Sequence, residues 1–226
     1  MESIIDFIGH ETETGVLRPT LRNSWRMAVT GPSQSGKSEF VYSLLRMPEV
    51  FSTPFHCISF HYGEFQREKF NQLKKEIPNI NFYSGLPTKI EQHGSEHCLL
   101  ILDDLINISA NSESVLELFI KQSHHKNKSV CIMSQNLFFG GKFFRSISLN
   151  CDYMCLMKAP RDKSQIRYLS RQIFPENPSF ITSAYELATA DKGYSHLFLD
   201  LSQIQSDKAR VWCEVNTPTP IVLIPP

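Results

Sequence analysis

The chain has 226 residues, 41% of them hydrophobic and 20% charged, which reads as globular rather than disordered and allows one sizeable core, and no stretch approaches the ~20 apolar residues of a membrane span. Lys plus Arg and Asp plus Glu both number 23, so the formal net charge is zero. Bulk basicity is therefore excluded as a route to nucleic acid, and any such contact must come from a local patch or a ring of subunits. In chain order, the opening "MESIIDFIGHETETG" is acidic, with no basic region ahead of a long apolar run, so no secretory leader is expected. "RMAVT" is a strand candidate that runs into a Gly-rich loop, and "SEFVYSLLRM" follows with helical spacing. "FHCISFHY" reads as a strand, "FQREKFNQLKKEI" as a helix and "INFYSG" as a short strand. "HCLLILDDL" is a continuous apolar run ending in two acids, the pattern of a strand covered on both faces. "SESVLELFIKQSHH" is helical, with Ser112 or Ser114 as N-cap, and "SVCIMSQN" is a second buried strand with a polar end. "YMCLMKA" (strand), "DKSQIRYLSRQIF" and "SFITSAYELAT" (helices) and "YSHLFLDL" (strand) complete the alternation, with "VWCEV" as an edge strand.

This order predicts an α/β fold with a mostly parallel central sheet flanked by helices. Residues 1–25 read as an N-terminal arm, 26–215 as the main domain and 216–226 as a Pro-rich tail, extended and peripheral. The six cysteines lack the paired spacing of a zinc site, and Cys57, Cys98 and Cys131 border apolar runs. Reduced thiols are the expectation.

The chemistry starts at "GPSQSGKS", where Gly31, Pro32, Ser33, Gln34, Ser35, Gly36, Lys37 and Ser38 satisfy the Gly-x4-Gly-Lys-Ser pattern of Walker A. Glycines let the backbone approach phosphates, and the loop's N–H groups form an anion nest at a helix start. Lys37 is expected on the β- and γ-phosphates, and Ser38 on Mg²⁺. A partner carboxylate for Mg²⁺ belongs at the end of another buried strand. Asp103 fits that Walker B position, and Asp104 is the candidate to orient or deprotonate the attacking water. Gln135 ends a third buried strand, where an amide would sense the γ-phosphate. ATP and Mg²⁺ are the implied cofactors.

The succession "GPSQSGKS", "LLILDDL", "SHHKNKSVCIMSQNLFFGGKFFRSISLN", "MKAPRDKSQIRYLSRQIFP" and "YSHLFLDL" resembles the genome-packaging ATPases of double-stranded DNA viruses, within the FtsK/HerA superfamily. It is most similar to the Polinton/Maverick, adintovirus and virophage type, and more distantly to the poxvirus and giant-virus enzymes. The resemblance spans Arg26 to Leu201. It implies that the 26–215 domain is a P-loop NTPase of the RecA-like type, an ATPase working in a ring, often a hexamer, that pumps double-stranded DNA into a preformed capsid, with capsid proteins as further partners and no membrane. It implies Arg145 as first choice for an arginine finger reaching a neighbouring subunit, and Arg161 as second. The expected location is the interior of a host cell carrying the virus or virus-like element, or the virion itself. Gln34 departs from the Gly common in relatives, and no nuclease or DNA-tracking domain is evident.

Lys126 and Lys128, in "KQSHHKNKS", are weaker candidates for phosphate contacts in a ring pore. Two other functions fit part of the pattern: a helicase or replication ATPase, and a small-molecule kinase. The kinase lacks a clear Arg-rich lid.

Overall fold

The computed structural model describes residues 18–87, 97–105, 119, 127–136, 148–190 and 193–226. Its strands form one nine-stranded sheet in the order β3-β2-β4-β5-β1-β6-β7-β8-β9. The elements are β1 (Arg26–Thr30), α1 (Lys37–Leu45), β2 (Cys57–Tyr62), α2 (Arg67–Glu76), β3 (Ile80–Ser84), β4 (Cys98–Asp103), β5 (Lys128–Ser134) and β6 (Tyr153–Met157). They continue with α3 (Ser164–Ile173), α4 (Pro178–Ala188), β7 (His196–Asp200), β8 (Val211–Cys213) and β9 (Ile221–Leu223). The first six strands pair in parallel, and β7, β8 and β9 are added antiparallel beyond β6.

The central strands are apolar throughout because both faces are covered. All five residues of β1 and all seven of β5 are buried. Alternation along β1 sends Met27 and Val29 into one cluster, with Phe40, Phe60 and Phe70 of the α1 and α2 side. Ala28 joins the other, with Ile166, Phe180 and Ile181 of α3 and α4.

Three features differ from expectation. "VWCEV" supplies β8, which is internal; β9, from the Pro-rich tail, takes the edge, with Val222 and Leu223 buried. An edge strand tolerates neighbouring prolines because one row of its backbone groups needs no partner. Residues at the end of the expected arm are packed into the core: Leu21 and Trp25 are buried, and Leu21 bridges Phe51. Finally, Cys57 and Cys98 are directly opposed on β2 and β4 and form a disulfide, with Cα atoms 4.9 Å apart. Strand register, which pattern does not reveal, sets that pairing.

Among the described residues no helix is long and apolar enough to cross a membrane.

Candidate functional site

The polar strand ends predicted from sequence meet at one edge of the sheet. β5 lies between β1 and β4, so the ends of all three adjoin. A backbone hydrogen bond from Gly31 N to Ser134 O, 3.0 Å, fastens the loop after β1 to the end of β5. This is the carboxyl edge of a parallel sheet where the chain crosses over, the place where such folds leave a crevice.

The loop's glycines are required by contact. A Cβ on Gly31 would lie 2.5 Å from Cβ of Met157. Gly36 has φ +96°, and a Cβ there would meet the Tyr194 ring at 2.9 Å. Gln34 also adopts a left-handed conformation, φ 63°, so it fills its position at the cost of some local strain. Lys37 is buried and donates to the carbonyls of Gly31, 2.7 Å, and Pro32, 2.9 Å. Burial pushes its pKa down, while the carboxylates of Asp104 and Asp103 act in the opposite direction. The Ser35 hydroxyl, within the same loop, is buried without a hydrogen-bond partner. A buried cation and an unsatisfied hydroxyl in a loop at the start of a helix fit a bound phosphate chain.

Ser38 donates to Asp103 Oδ2 at 3.4 Å, bringing the two expected Mg²⁺ ligands together. Burial, then the neighbouring Asp104, raises the Asp103 pKa to about 6; Lys37, the Ser38 hydroxyl and Lys69 pull the other way. One hydroxyl and one carboxylate are hard oxygen donors of the kind Mg²⁺ takes when phosphates and water complete its shell. No group of three or more His, Cys, Asp or Glu side chains that could hold a metal ion occurs among the described residues.

Asp104 follows directly in a left-handed conformation, φ 56°, and is exposed. Gln135 donates from Nε2 to its Oδ1 at 3.4 Å. Residues 31 apart in sequence thus form one polar pair beside the P-loop.

The fold is shared with solved structures. The DNA-packaging ATPase B204 of Sulfolobus turreted icosahedral virus superposes with a TM-score of 0.51 at 11% identity, covering 82% of this chain and 94% of that one. The genome-packaging NTPase B204 of Sulfolobus turreted icosahedral virus 2, in complex with AMP, gives 0.50 at 13% identity, with 81% and 98% covered. The chain has the fold of a viral genome-packaging NTPase. No protein-family model matches the sequence. No curated protein matches it either.

The remaining sequence candidates are placed unequally. Arg161 is exposed and lines a cavity of about 550 Å³ with Gly31, Pro32, Ser33, Gln135 and Asn136 of its own chain. In the same "PRDK" segment, Asp162 accepts from the backbone N–H of Ser164 at 3.2 Å at the start of α3. Arg145 and Lys126 lie outside the described residues. Lys128 corrects its expectation: it is the first residue of β5, buried at 5% exposure, at the sheet edge opposite the P-loop. Its position in the strand ladder, paired with Cys98, withdraws it from a solvent-facing loop. Tyr194 was not singled out by sequence, and an isolated aromatic between Gly193 and Ser195 carries no motif.

Proposed function

We propose that the protein is an ATP-driven double-stranded DNA translocase that packages a viral or virus-like genome into a preformed capsid. The convergence of Lys37, Ser38, Asp103, Asp104 and Gln135 at the ends of β1, β4 and β5 carries the hydrolytic part of this reading. The likeness in fold to two viral packaging NTPases supports the packaging part, and the Polinton/Maverick–adintovirus–virophage type rests on the sequence resemblance.

ATP binds with its β- and γ-phosphates in the nest, where Lys37 exchanges the loop carbonyls for phosphate oxygens. Mg²⁺, when bound by Ser38 and Asp103, neutralises charge on the phosphates. Asp104 takes the proton of the attacking water as the water adds to the γ-phosphorus, and ADP and phosphate leave. Gln135, held against Asp104, orients that water and registers the loss of the γ-phosphate. Subunits assemble into a ring, probed first as a hexamer, and Arg145 reaches the neighbouring site. Arg161, beside its own chain's Gln135, acts within one subunit.

ATPase rate with and without double-stranded DNA, alongside the mass of the assembly, tests the reading. Stimulation by duplex DNA in an assembled ring is expected. A phosphorylated small-molecule product would establish the kinase instead, and strand displacement on a forked substrate the helicase. Arg145→Ala is expected to slow hydrolysis only in the ring, whereas Arg161→Ala slows it in the isolated chain as well.

A further inference from the structure

A second cavity, of about 410 Å³, is lined by the end of α4, the segment leading into β7 and the segment after β8. Three of its lining residues touch α1 or its start in succession. Tyr194 packs on Gly36, where an added Cβ would come within 2.9 Å of the ring. The His196 ring meets Phe40 with centroids 4.6 Å apart. Asn216 donates from Nδ2 to Ser43 Oγ at 3.0 Å. Positions 36, 40 and 43 fall on one helical face, so these three wall residues follow α1 from the end of the phosphate loop. Leu187 and Ala188 of α4 close its apolar side, and Thr217 lies on its polar side.

Two features of this cavity have no use within the described protein. Tyr194 is 71% exposed and stands in a left-handed conformation, φ 62°, which a bulky aromatic residue rarely adopts. Its ring is therefore held at the nest with much of its surface in solvent. His196 is 5% exposed, yet its Nε2 is buried with no hydrogen-bond partner. The Tyr194 backbone hydrogen-bonds the His196 ring.

The direction of a bound nucleotide follows from the site already described. Asp103, Asp104 and Gln135 mark the end where the γ-phosphate is attacked. A nucleotide held by its phosphates must direct its sugar and base away from that end. The Gly36 side, where Tyr194 stands, offers a flat π-surface and a space large enough for a nucleoside.

We infer that the cavity lined by Tyr194, His196 and Asn216 receives the nucleoside of the bound nucleotide, with the purine base stacked on Tyr194. Tyr194 supplies the platform. This rests on reading the P-loop as a nucleotide site. It adds that the protein distinguishes a nucleotide from a bare phosphate chain, and that Tyr194 sets the difference.

The test compares ATP with inorganic tripolyphosphate, each binding to the full chain in Mg²⁺ buffer by calorimetry. The wild type is expected to bind ATP more tightly than tripolyphosphate. Tyr194→Ala should weaken ATP about tenfold, as loss of one base–aromatic stack does, and leave tripolyphosphate unchanged. Tyr194→Phe should restore ATP binding, since the ring and not the hydroxyl is used. Thermal unfolding checks that each variant is folded; the exposure of Tyr194 leaves little packing to lose. Equal affinity of the wild type for the two ligands overturns the inference, as does a Tyr194→Ala loss that is absent or equal for both. If neither ligand binds the wild type, the P-loop reading itself fails.

Discussion

The same strands end in two different ways at the two edges of the sheet. At the amino edge, charge is matched and closed. Arg26 is buried and forms a two-pronged pair with Asp152, Nε to Oδ2 at 3.0 Å and Nη2 to Oδ1 at 3.0 Å, and its backbone N–H donates to the same carboxylate at 2.8 Å. His97 is held between Ser129 Oγ, 3.1 Å, and the Pro54 carbonyl. At the carboxyl edge, two acids stand next to each other, a buried lysine rests on its own loop's carbonyls, and the hydroxyl of Ser35 has no partner. The charged groups of the first edge are paired with one another, whereas those of the second lie side by side around a hydroxyl without a partner. Stability and function are thus separated along the length of β1 and its neighbours, as expected when binding groups are left unmatched on a well-packed scaffold.

The strongest way to break this contrast is Lys37→Ala. Turnover of ATP is expected to fall to background with the fold retained by circular dichroism, and normal turnover would sink the site assignment. The opposite edge should answer in the opposite way. Asp152→Ala leaves the Arg26 guanidinium buried without its carboxylate and should cost about 3 kcal/mol in denaturant unfolding, while the affinity for ATP stays as in the wild type. A fall in affinity comparable to the loss of stability would show that the two edges are not independent.

A smaller effect sharpens the picture at the flank of α1. Burial lowers the His196 pKa to about 4 from its ordinary 6.5, with the Tyr194 backbone and Glu214 acting against that shift. The unfolded chain therefore takes up the proton first as pH falls. The stability that a neutral His196 preserves is complete above pH 6.5 and is lost progressively toward pH 4. Between pH 7.5 and 5.5 this amounts to about 1 kcal/mol. His196→Phe should remove that part of the pH dependence, and an unchanged pH profile of unfolding would refute it. The smallest expected effect is at Lys128. Because it is buried at the amino edge, Lys128→Ala should leave the salt dependence of any DNA-stimulated ATPase rate unaltered; a shallower slope would return it to the DNA interface.

The parts of the site that sequence disclosed share a property: their chemistry is local. The P-loop is eight contiguous residues whose backbone makes the nest, so its spacing is also its geometry. Asp103 was legible because a run of apolar residues that stops at an acid reads as a strand emerging from a core. Gln135 was legible for the same reason at the end of β5. Lys128 misled because a basic stretch looks alike in a loop and in the first position of a strand. Tyr194 gave no signal, since its meaning comes from Gly36, far away along the chain.

The sequence by itself determined the parallel α/β framework, the nest and the identity of the polar strand ends, because periodicity and contiguous motifs record short-range physics. Only the tertiary structure decided what those parts face. Register set Cys57 against Cys98, and strand order put β5 between β1 and β4 so that Gln135 could bond Asp104. Packing brought Tyr194, His196 and Asn216 onto one face of α1. Each of these joins segments distant in the chain, and a contact between distant segments is fixed by how whole layers pack, which no local pattern encodes.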